Sequence, residues 1–371
     1  MKKIGFIYIN KTYCVYHSIS IAIELAKINT NKIEILCTEE NEKLVTRVLK
    51  VHKVSNISIN ILRPYWYFTI PHYLEIKFQL RPSLFFKYKS LLSTFDALVC
   101  TIYQDLDLKK FLSKEGLPKF IFTNHGIPNR AYSFDEKVLQ FDLSFLLGDK
   151  DKHIRKNLGQ LKSSNFKVTG FIKGDVTKEL PQAKLFNNKN PTILYNPHWE
   201  RGLSSYFNFG EGILSFFESK KNYNLIFAPH ALLLARNWKL KSKLKRFSIC
   251  DNIEIDFGSE SSNDMSYTKA ADFYLGDVSS QAMEYVFHEK RPCIFLDAFE
   301  IRNDSKEKPL SWELGNVYTS IDNLGEILNS ATVDFKTKYS DVQSKLIEET
   351  FYFGESKPSY LAAMAIEDLL Q

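Results

Sequence analysis

The chain has 371 residues, of which 44% are apolar, 25% charged and 14% aromatic. This length and apolar content exclude a disordered tail or a small disulfide-stapled module, and they favour two hydrophobic cores of ordinary size over one large core. The 49 Lys and Arg residues against 43 Asp and Glu residues leave a formal charge of +6. That small excess permits anionic substrates but does not indicate a nucleic-acid binder.

The first half of the chain alternates short apolar runs with stretches of helical spacing. Seven runs rich in β-branched and aromatic residues predict strands: Lys3 to Asn10, Lys32 to Cys37, Ile57 to Leu62, Ala97 to Ile102, Phe120 to Thr123, Leu143 to Leu147 and Lys167 to Gly170. Ser18 to Ala26 has the broad apolar face of a helix. Apolar runs separated by helices predict a parallel sheet covered on both faces.

A second series of the same kind follows a polar stretch from Leu180 to Asn190, which we interpret as a linker. Its predicted strands are Thr192 to Tyr195, Leu225 to Ala228, Ile253 to Phe257, Phe273 to Leu275 and Pro292 to Leu296. The sequence thus predicts an α/β protein of two Rossmann-like, doubly wound domains at residues 1–180 and 191–350. Residues 351–371 are expected to form a terminal helix that packs back on the body. Strand ends of two such domains are expected to face a central ligand cleft.

The cysteines and the N-terminal segment bear on the compartment. Five cysteines, with no CxxC pair, predict free and mostly buried thiols in a reducing environment. The apolar run after Met1-Lys2-Lys3 stops at Asn10-Lys11 without a small-residue cleavage site, so we interpret it as a strand. No stretch approaches the ~20 apolar residues that span a bilayer. These features predict a cytoplasmic location.

The segment from Tyr274 to Asp297 carries a candidate anion site. A buried run ends at Gly276, and Asp277 with the pair Ser279 and Ser280 opens a predicted helix. Two hydroxyls and free backbone N–H groups at a helix N-terminus suit a phosphate. Asp277 or Ser279 could equally be a simple helix N-cap.

Three further strand ends carry histidines. In Phe122-Thr-Asn-His-Gly-Ile-Pro128, His125 follows a strand of the first domain, and Gly126 would let a backbone approach closely. Imidazole titrates near neutrality and suits a general base. His230 occupies the equivalent strand end in the second domain and would donate to a diphosphate oxygen.

The third strand end, Leu194 to Arg201, opens the second domain with polar and aromatic groups. Asn196, His198 and Trp199 could hold a ligand there. An Asn-Pro turn followed by a core tryptophan explains the same residues.

Two basic segments concern partners. The stretch from Arg63 to Leu92 interleaves aromatic and basic residues, which suits either a membrane interface or an aromatic helical layer of the first domain. The run from Arg236 to Arg246 has six cations and no acid. A solvated face explains that run, although it could also attract polyanions.

Common catalytic motifs are absent from the sequence. It contains no Walker GxxxxGK[ST], GxGxxG, HExxH or GxSxG pattern, and no His, Cys and Asp cluster with metal spacing. Asp105-Leu-Asp107 lies in what reads as an amphipathic helix and is not taken as a metal site. We therefore expect neither a metal nor a cofactor.

From about residue 120 onward, the sequence resembles the CDP-glycerol glycerophosphotransferases of teichoic acid and capsule synthesis. The motifs that carry the resemblance are His125-Gly126-x-Pro128, Thr169-Gly170-x-x-x-Gly174-Asp175, the strand and turn Leu194 to Trp199, Asp277-x-Ser279-Ser280 followed by Arg291-Pro292, and Phe353-Gly354-Glu355-Ser356. The resemblance implies the two-domain GT-B fold. Two departures concern the donor: His230 follows its proline, where the family usually has His before Pro, and Glu284 stands where Asp or Glu varies.

The resemblance also implies roles for individual residues. It makes His125 the base that activates an acceptor hydroxyl. His230, Ser279 and Ser280 would hold the donor diphosphate. Asp277 and Glu284 would be further donor contacts, and Asn196 belongs to the same candidate donor site.

The implied activity is transfer from a nucleotide-activated donor, CDP-glycerol or similar, to a glycan or lipid-linked acceptor of a cell-surface polymer. Contact with the inner face of the membrane is left open. A GT-B glycosyltransferase that uses a CMP- or UDP-linked sugar fits the same residues. A nucleotide-sugar epimerase and a non-catalytic scaffold are further alternatives.

Overall fold

The computed structural model describes residues 1–65, 80–113, 115–128, 134–162, 165–180, 184–301 and 309–371. They form two compact units, the first from residues 1–128, 134–180 and 349–371, and the second from residues 184–348 with their one gap. Much of the aromatic and basic stretch from Arg63 to Leu92 lies outside the described residues. So does the start of the interpreted linker, at residues 181–183.

The first unit is built on a seven-stranded parallel sheet with the strand order β3-β2-β1-β4-β5-β6-β7. Its strands are β1 (Lys3–Tyr8), β2 (Lys32–Cys37), β3 (Ile57–Ile61), β4 (Ala97–Cys100), β5 (Lys119–Thr123), β6 (Leu143–Leu146) and β7 (Phe166–Val168). All neighbouring strands pair in parallel. Most of these strand residues are buried, as their unbroken apolar runs predict for a sheet covered on both faces.

Helices cover this sheet. They are α1 (Tyr13–Tyr16), α2 (Ile19–Ile28), α3 (Glu39–Val51), α4 (Leu80–Leu92), α5 (Asp149–Asn157) and α6 (Ile172–Glu179). The segment Tyr103–Lys110, which the sequence predicts as an amphipathic helix, is a 3₁₀ helix. Its Asp105 is fully buried and lies 3.4 Å from Arg81.

The second unit contains a six-stranded parallel sheet with the order β10-β9-β8-β11-β12-β13. Its strands are β8 (Thr192–Asn196), β9 (Asn224–Phe227), β10 (Ile253–Ile255), β11 (Phe273–Gly276), β12 (Cys293–Leu296) and β13 (Asn316–Tyr318). Its helices are α7 (Glu211–Ser219), α8 (Ala231–Arg236), α9 (Trp238–Leu244), α10 (Ser266–Ala270), α11 (Gln281–His288) and α12 (Leu324–Asp334). The edge strand β13 was not predicted, because three half-buried residues give no periodic signal.

The chain returns to the first unit at its C-terminal end. Helix α13 (Ser340–Thr350) precedes α14 (Pro358–Leu370), which packs against α2. Ala362, Ala363 and Ile366 of α14 are buried in the core of the first unit. The Asp175 carboxylate accepts a hydrogen bond from the Ser359 backbone N–H at 2.8 Å, which caps the start of α14.

Both strand orders define where a ligand is expected. In each sheet the direction of winding reverses beside the first strand of the unit, between β1 and β4 and between β8 and β11. Doubly wound sheets bind ligands at the carboxyl ends of the strands next to such a reversal. The residues that follow β1 and β4 in the first unit, and β8 and β11 in the second, therefore lie at the expected ligand positions, and β5 and β9 are the strands next to them.

The described residues contain no helix that is both long enough and apolar enough to cross a membrane. The five cysteines are free thiols, and all are buried except Cys250, which is half-buried.

Candidate functional site

His125 lies just beyond the end of β5 in the first unit. Its ring is exposed to solvent, and its Nδ1 lies 2.9 Å from the carbonyl oxygen of Thr101, which follows β4. Because a carbonyl oxygen can only accept, Nδ1 carries the proton and Nε2 has a free lone pair. The surrounding protein lowers the pKa of His125 below its ordinary value by desolvation, against the opposing effect of the Thr101 carbonyl. His125 is therefore held as a neutral imidazole with an available basic nitrogen.

Gly126 has open space around it. A Cβ built at this position would meet no described atom within 4 Å. Close approach of the Gly126 backbone to a ligand stays a prediction.

A small pocket adjoins His125 at the same strand ends. Its polar lining includes His17, Asn124 and Lys173, and it also contains the backbone of Gly170 where α6 begins. His17 and Lys173 are 5% and 4% exposed. Desolvation and the nearby Lys173 and His125 hold the pKa of His17 well below its usual range. The Asn124 amide nitrogen is buried and finds no hydrogen-bond acceptor among the described residues.

This pocket combines a buried ammonium with an unsatisfied amide donor, and both suit an anionic or hydroxyl-rich group of a ligand. The sequence pattern assigns no role to His17 and gives little sign of Lys173. The only signal for Lys173 was its place in the second position of a helix that follows Thr169-Gly170.

In the second unit, Asn196 at the end of β8 is fully engaged by the protein. Its amide nitrogen donates to the Ala228 carbonyl oxygen at 2.6 Å, and its oxygen accepts from the Tyr274 hydroxyl at 3.1 Å. These bonds tie the ends of β8, β9 and β11 together. Direct contact of Asn196 with a donor remains a prediction, and its observed contacts give it a positioning role.

Asp277, directly after β11, is fully buried. Its Oδ2 accepts hydrogen bonds from the backbone N–H groups of His198 at 2.8 Å and Ser205 at 2.9 Å. Its Oδ1 has no partner among the described residues. Burial raises the pKa of Asp277 to about 7, against the lowering effect of the Ser205 side chain and of these two backbone N–H groups. Asp277 thus holds the loop after β8, and its predicted donor contact stays a prediction.

His230 stands at the equivalent place after β9. Its side chain is exposed, and its Nδ1 accepts a hydrogen bond from the Leu232 backbone N–H at 3.2 Å, which caps α8. Nε2 therefore carries the proton. Desolvation, followed by the nearby Arg236, lowers the pKa of His230 to about 4. At neutral pH this imidazole is an uncharged N–H donor, the opposite tautomer to His125.

His230 belongs to a cluster of rings. The His198 ring stacks on Trp199 with centroids 5.6 Å apart, and His230 lies 6.0 Å from His198 and 6.3 Å from Trp199. The Arg236 guanidinium covers the Trp199 ring at 4.2 Å. His198 is also buried, with its Nδ1 accepting from the Glu200 backbone N–H. These ring contacts hold His230 in position. Sequence reasoning did not identify Arg236 as part of this cluster, because it was visible only as one cation of a basic run.

The serine pair lies at the N-terminus of α11. Ser279 and Ser280 are half-buried, and the Ser279 hydroxyl accepts from the Gln281 backbone N–H at 3.2 Å. Glu284 is 5% exposed, in the first turn of the same helix. The hydroxyls are thus placed to meet an anion with the helix dipole behind them, whereas Glu284 is largely enclosed. The assignment of all three to donor binding remains a prediction.

Arg291, in the Arg-Pro part of the motif, has a structural role. Its guanidinium donates to the backbone carbonyl oxygens of Thr268 at 2.7 Å, Lys269 at 3.3 Å and Tyr285 at 3.0 Å, and also to that of Ala271. The cation thereby satisfies carbonyls at the end of α10 and lies over the Tyr285 ring at 4.2 Å.

The described residues hold no group of three His, Cys, Asp or Glu side chains suited to a metal ion. The first unit provides a basic ring nitrogen, on His125. The second unit provides a set of N–H and O–H donors, on His230 and at the start of α11.

No family model matches the chain, and no curated protein matches it in sequence. Solved structures do match. The wall teichoic acid polymerase TagF, in a variant soaked with CDPG, is 16% identical with a TM-score of 0.65 over 99% of this chain and 88% of that chain. A UDP-N-acetylglucosamine 2-epimerase is 13% identical with a TM-score of 0.59 over 100% and 95%.

A third match, Anabaena Alr3699/HepE in complex with UDP and glucose, is 10% identical with a TM-score of 0.53 over 100% of this chain and 99% of that chain. Likeness at such low identity shows the fold. The chain therefore has the GT-B fold, with two parallel α/β domains of seven and six strands, and this prediction is confirmed.

Proposed function

We propose that this protein is a transferase that moves a group from a nucleotide-activated donor to an acceptor hydroxyl, with His125 as the base. The observation that carries the proposal is the opposite protonation of two exposed strand-end histidines. Nε2 of His125 is free to accept a proton, and Nε2 of His230 is a neutral donor. Proton removal and stabilisation of a leaving phosphate require this pair of functions.

In the proposed reaction the acceptor oxygen forms a bond to the donor phosphorus while its proton passes to Nε2 of His125. The bond to the departing nucleotide breaks, and the nucleotide phosphate leaves with the electron pair. In this proposal the N–H of His230, the hydroxyls of Ser279 and Ser280 and the N-terminal amides of α11 stabilise that charge. The second unit would bind the donor and the first the acceptor.

CDP-glycerol or a similar compound is the proposed donor, for a cell-surface polymer such as teichoic acid or capsule. The motif resemblance supports this choice, as does the likeness to TagF soaked with CDPG. A sugar transferase that uses a UDP- or CMP-linked donor is the second candidate, because a neighbour of the same fold binds UDP and glucose. In either case we propose a glycan or lipid-linked acceptor and action at the cytoplasmic face of the membrane.

The test is incubation of the purified protein with labelled CDP-glycerol, CMP-linked sugars and UDP-linked sugars, with glycan and lipid-linked acceptors. His125→Ala should lower turnover by about 10²- to 10⁴-fold, the usual contribution of a general base, while leaving the donor dissociation constant unchanged. His153→Ala is the matched control, since His153 is an exposed histidine on α5 of the same unit.

The pH profile gives an independent reading of the same group. Since desolvation keeps the pKa of His125 below 6.5, its basic form is fully present at neutral pH and is lost only in more acid solution. The decrease of kcat/KM in acid solution should therefore have its midpoint below pH 6.5. More than a tenth of wild-type activity in His125→Ala would remove His125 from the role of base.

A further inference from the structure

The surface of α9 and the turn after it is strongly basic. Between residues 236 and 246 the chain has six cations and no acid, and all six side chains are exposed. Arg246 has a nearby carboxylate, with its guanidinium 3.2 Å from Glu211. A charge density of this kind creates a positive potential that extends into solvent over about a Debye length.

Two large apolar side chains stand out from the same surface. Trp238 is 75% exposed and Ile249 is 82% exposed. Apart from Met1, they are the most exposed large hydrophobic side chains among the residues that the structure describes. Folding of the unit does not account for them, because α9 is already anchored in the core by Leu240 and Leu244, which are 6% and 1% exposed.

Exposed apolar and basic side chains occupy the same stretch of chain. Leu240 and Leu244 are buried in the core, whereas Trp238 and the three lysines of α9 are exposed. Lys245 and Arg246 follow α9, and Ile249 lies three residues further on, at the end of the 3₁₀ helix Phe247–Ile249. We call the exposed side chains of Trp238, Lys239, Lys241, Lys243, Lys245, Arg246 and Ile249 the α9 face.

We propose that the α9 face docks the protein on an anionic lipid bilayer. The indole of Trp238 and the side chain of Ile249 would enter the headgroup region, and the lysines would lie over lipid phosphates. Charge complementarity favours an anionic partner, and the exposed isoleucine favours lipid over a polyanion in solution, since an aliphatic side chain gains nothing from phosphates in water. This docking surface uses no group of the proposed reaction.

The experiment is co-sedimentation of the full chain with phosphatidylcholine vesicles, with and without phosphatidylglycerol, at low ionic strength. We expect binding only to the anionic vesicles and a decrease with added salt. Lys241→Gln together with Lys245→Gln should lower the partition coefficient about 25-fold, since each lysine near such a surface contributes a factor of about five.

The apolar half of the proposal has its own variants. Trp238→Ala with Ile249→Ala should release the protein from anionic vesicles, whereas Val333→Ala on α12 should not, although Val333 is 61% exposed in the same unit. Thermal unfolding of each variant checks that the fold is kept. In the wild type, vesicles should shift the tryptophan emission to the blue, and Trp238→Phe should bind equally well without that shift.

Two results would overturn the proposal. One is a wild-type protein that stays in the supernatant with anionic vesicles. The other is vesicle binding that is lost in the lysine variant but unchanged in the Trp238 and Ile249 variant, which would show that neither apolar side chain enters the bilayer.

Discussion

Replacing Asp277 by Asn should change how the stability of the second unit depends on pH. The substitution keeps the shape of the side chain and an oxygen that can accept from the backbone N–H groups of His198 and Ser205. It replaces the unpartnered Oδ1 with an amide nitrogen. The variant therefore removes a titrating group while retaining the two hydrogen bonds that hold the loop after β8.

The magnitude follows from the pKa of Asp277, which burial raises from 3.8 to about 7. A group whose pKa is raised in the folded state stabilises the fold in its protonated form, so this contribution is complete below pH 3.8 and is lost as pH rises through 7. At 1.36 kcal/mol for each pKa unit, the loss is about 4 kcal/mol of unfolding free energy. The buried amide nitrogen of Asn costs about 1–3 kcal/mol in the opposite direction at every pH.

The wild type should therefore be the more stable protein in acid solution, and Asp277→Asn should overtake it by about 1–3 kcal/mol above pH 7. Urea unfolding of both proteins at pH 4 and pH 8.5, followed by tryptophan fluorescence, measures the difference. The signal comes mainly from the second unit, which holds Trp199, Trp238 and Trp312 of the four tryptophans. All other titrating groups are common to both proteins. A difference in stability that does not vary with pH would refute the reasoning.

Two further changes test the first unit. Lys173→Met should raise the acceptor KM about tenfold or more with little change in the donor KM, because the variant loses the charged contact of a buried cation in the pocket beside His125. Lys178→Met is the control in steady-state kinetics: Lys178 is an exposed lysine on the same helix, and its replacement should have no effect. Gly170→Ala should lower the unfolding free energy by about 1–3 kcal/mol, since Gly170 has φ +96° and a Cβ there would lie 2.5 Å from the Tyr352 carbonyl oxygen. Gly159→Ala, at φ +68° with open space around it, separates the backbone effect from the steric clash in the same denaturation assay.

Much of the fold could be predicted because parallel strands buried on both faces leave a continuous apolar signal. Strand β2 has the predicted bounds, and the terminal helix α14 was marked at its start by Pro358. The pattern of apolar residues does not identify short strands or the type of a helix. Strand β13 has three half-buried residues, and the 3₁₀ geometry of Tyr103–Lys110 leaves no mark in the spacing of its apolar residues.

The candidate site was harder to predict, because sequence shows which residues follow a strand but not where their side chains point. His125 and His230 were recognisable by position alone, and both are exposed at strand ends. Lys173 could not be found, since a lysine in a helix is usually solvated and its burial depends on packing by residues distant in sequence. The same limit applies to Trp238, whose exposure no pattern revealed.

The motif residues divide into two groups by the contacts that they make, and this division shows which of them bear on the fold and which on the substrate. Asp175, Asp277 and Arg291 bond to backbone groups of their own unit, where they cap α14, hold the loop after β8 and satisfy the carbonyls at the end of α10. His125 and His230 instead direct one ring nitrogen to the backbone, and the proposed reaction uses the other. Residues of the first group specify the scaffold, so their match to a motif carries information about the fold. The donor must therefore be identified by binding measurements with variants of the second group.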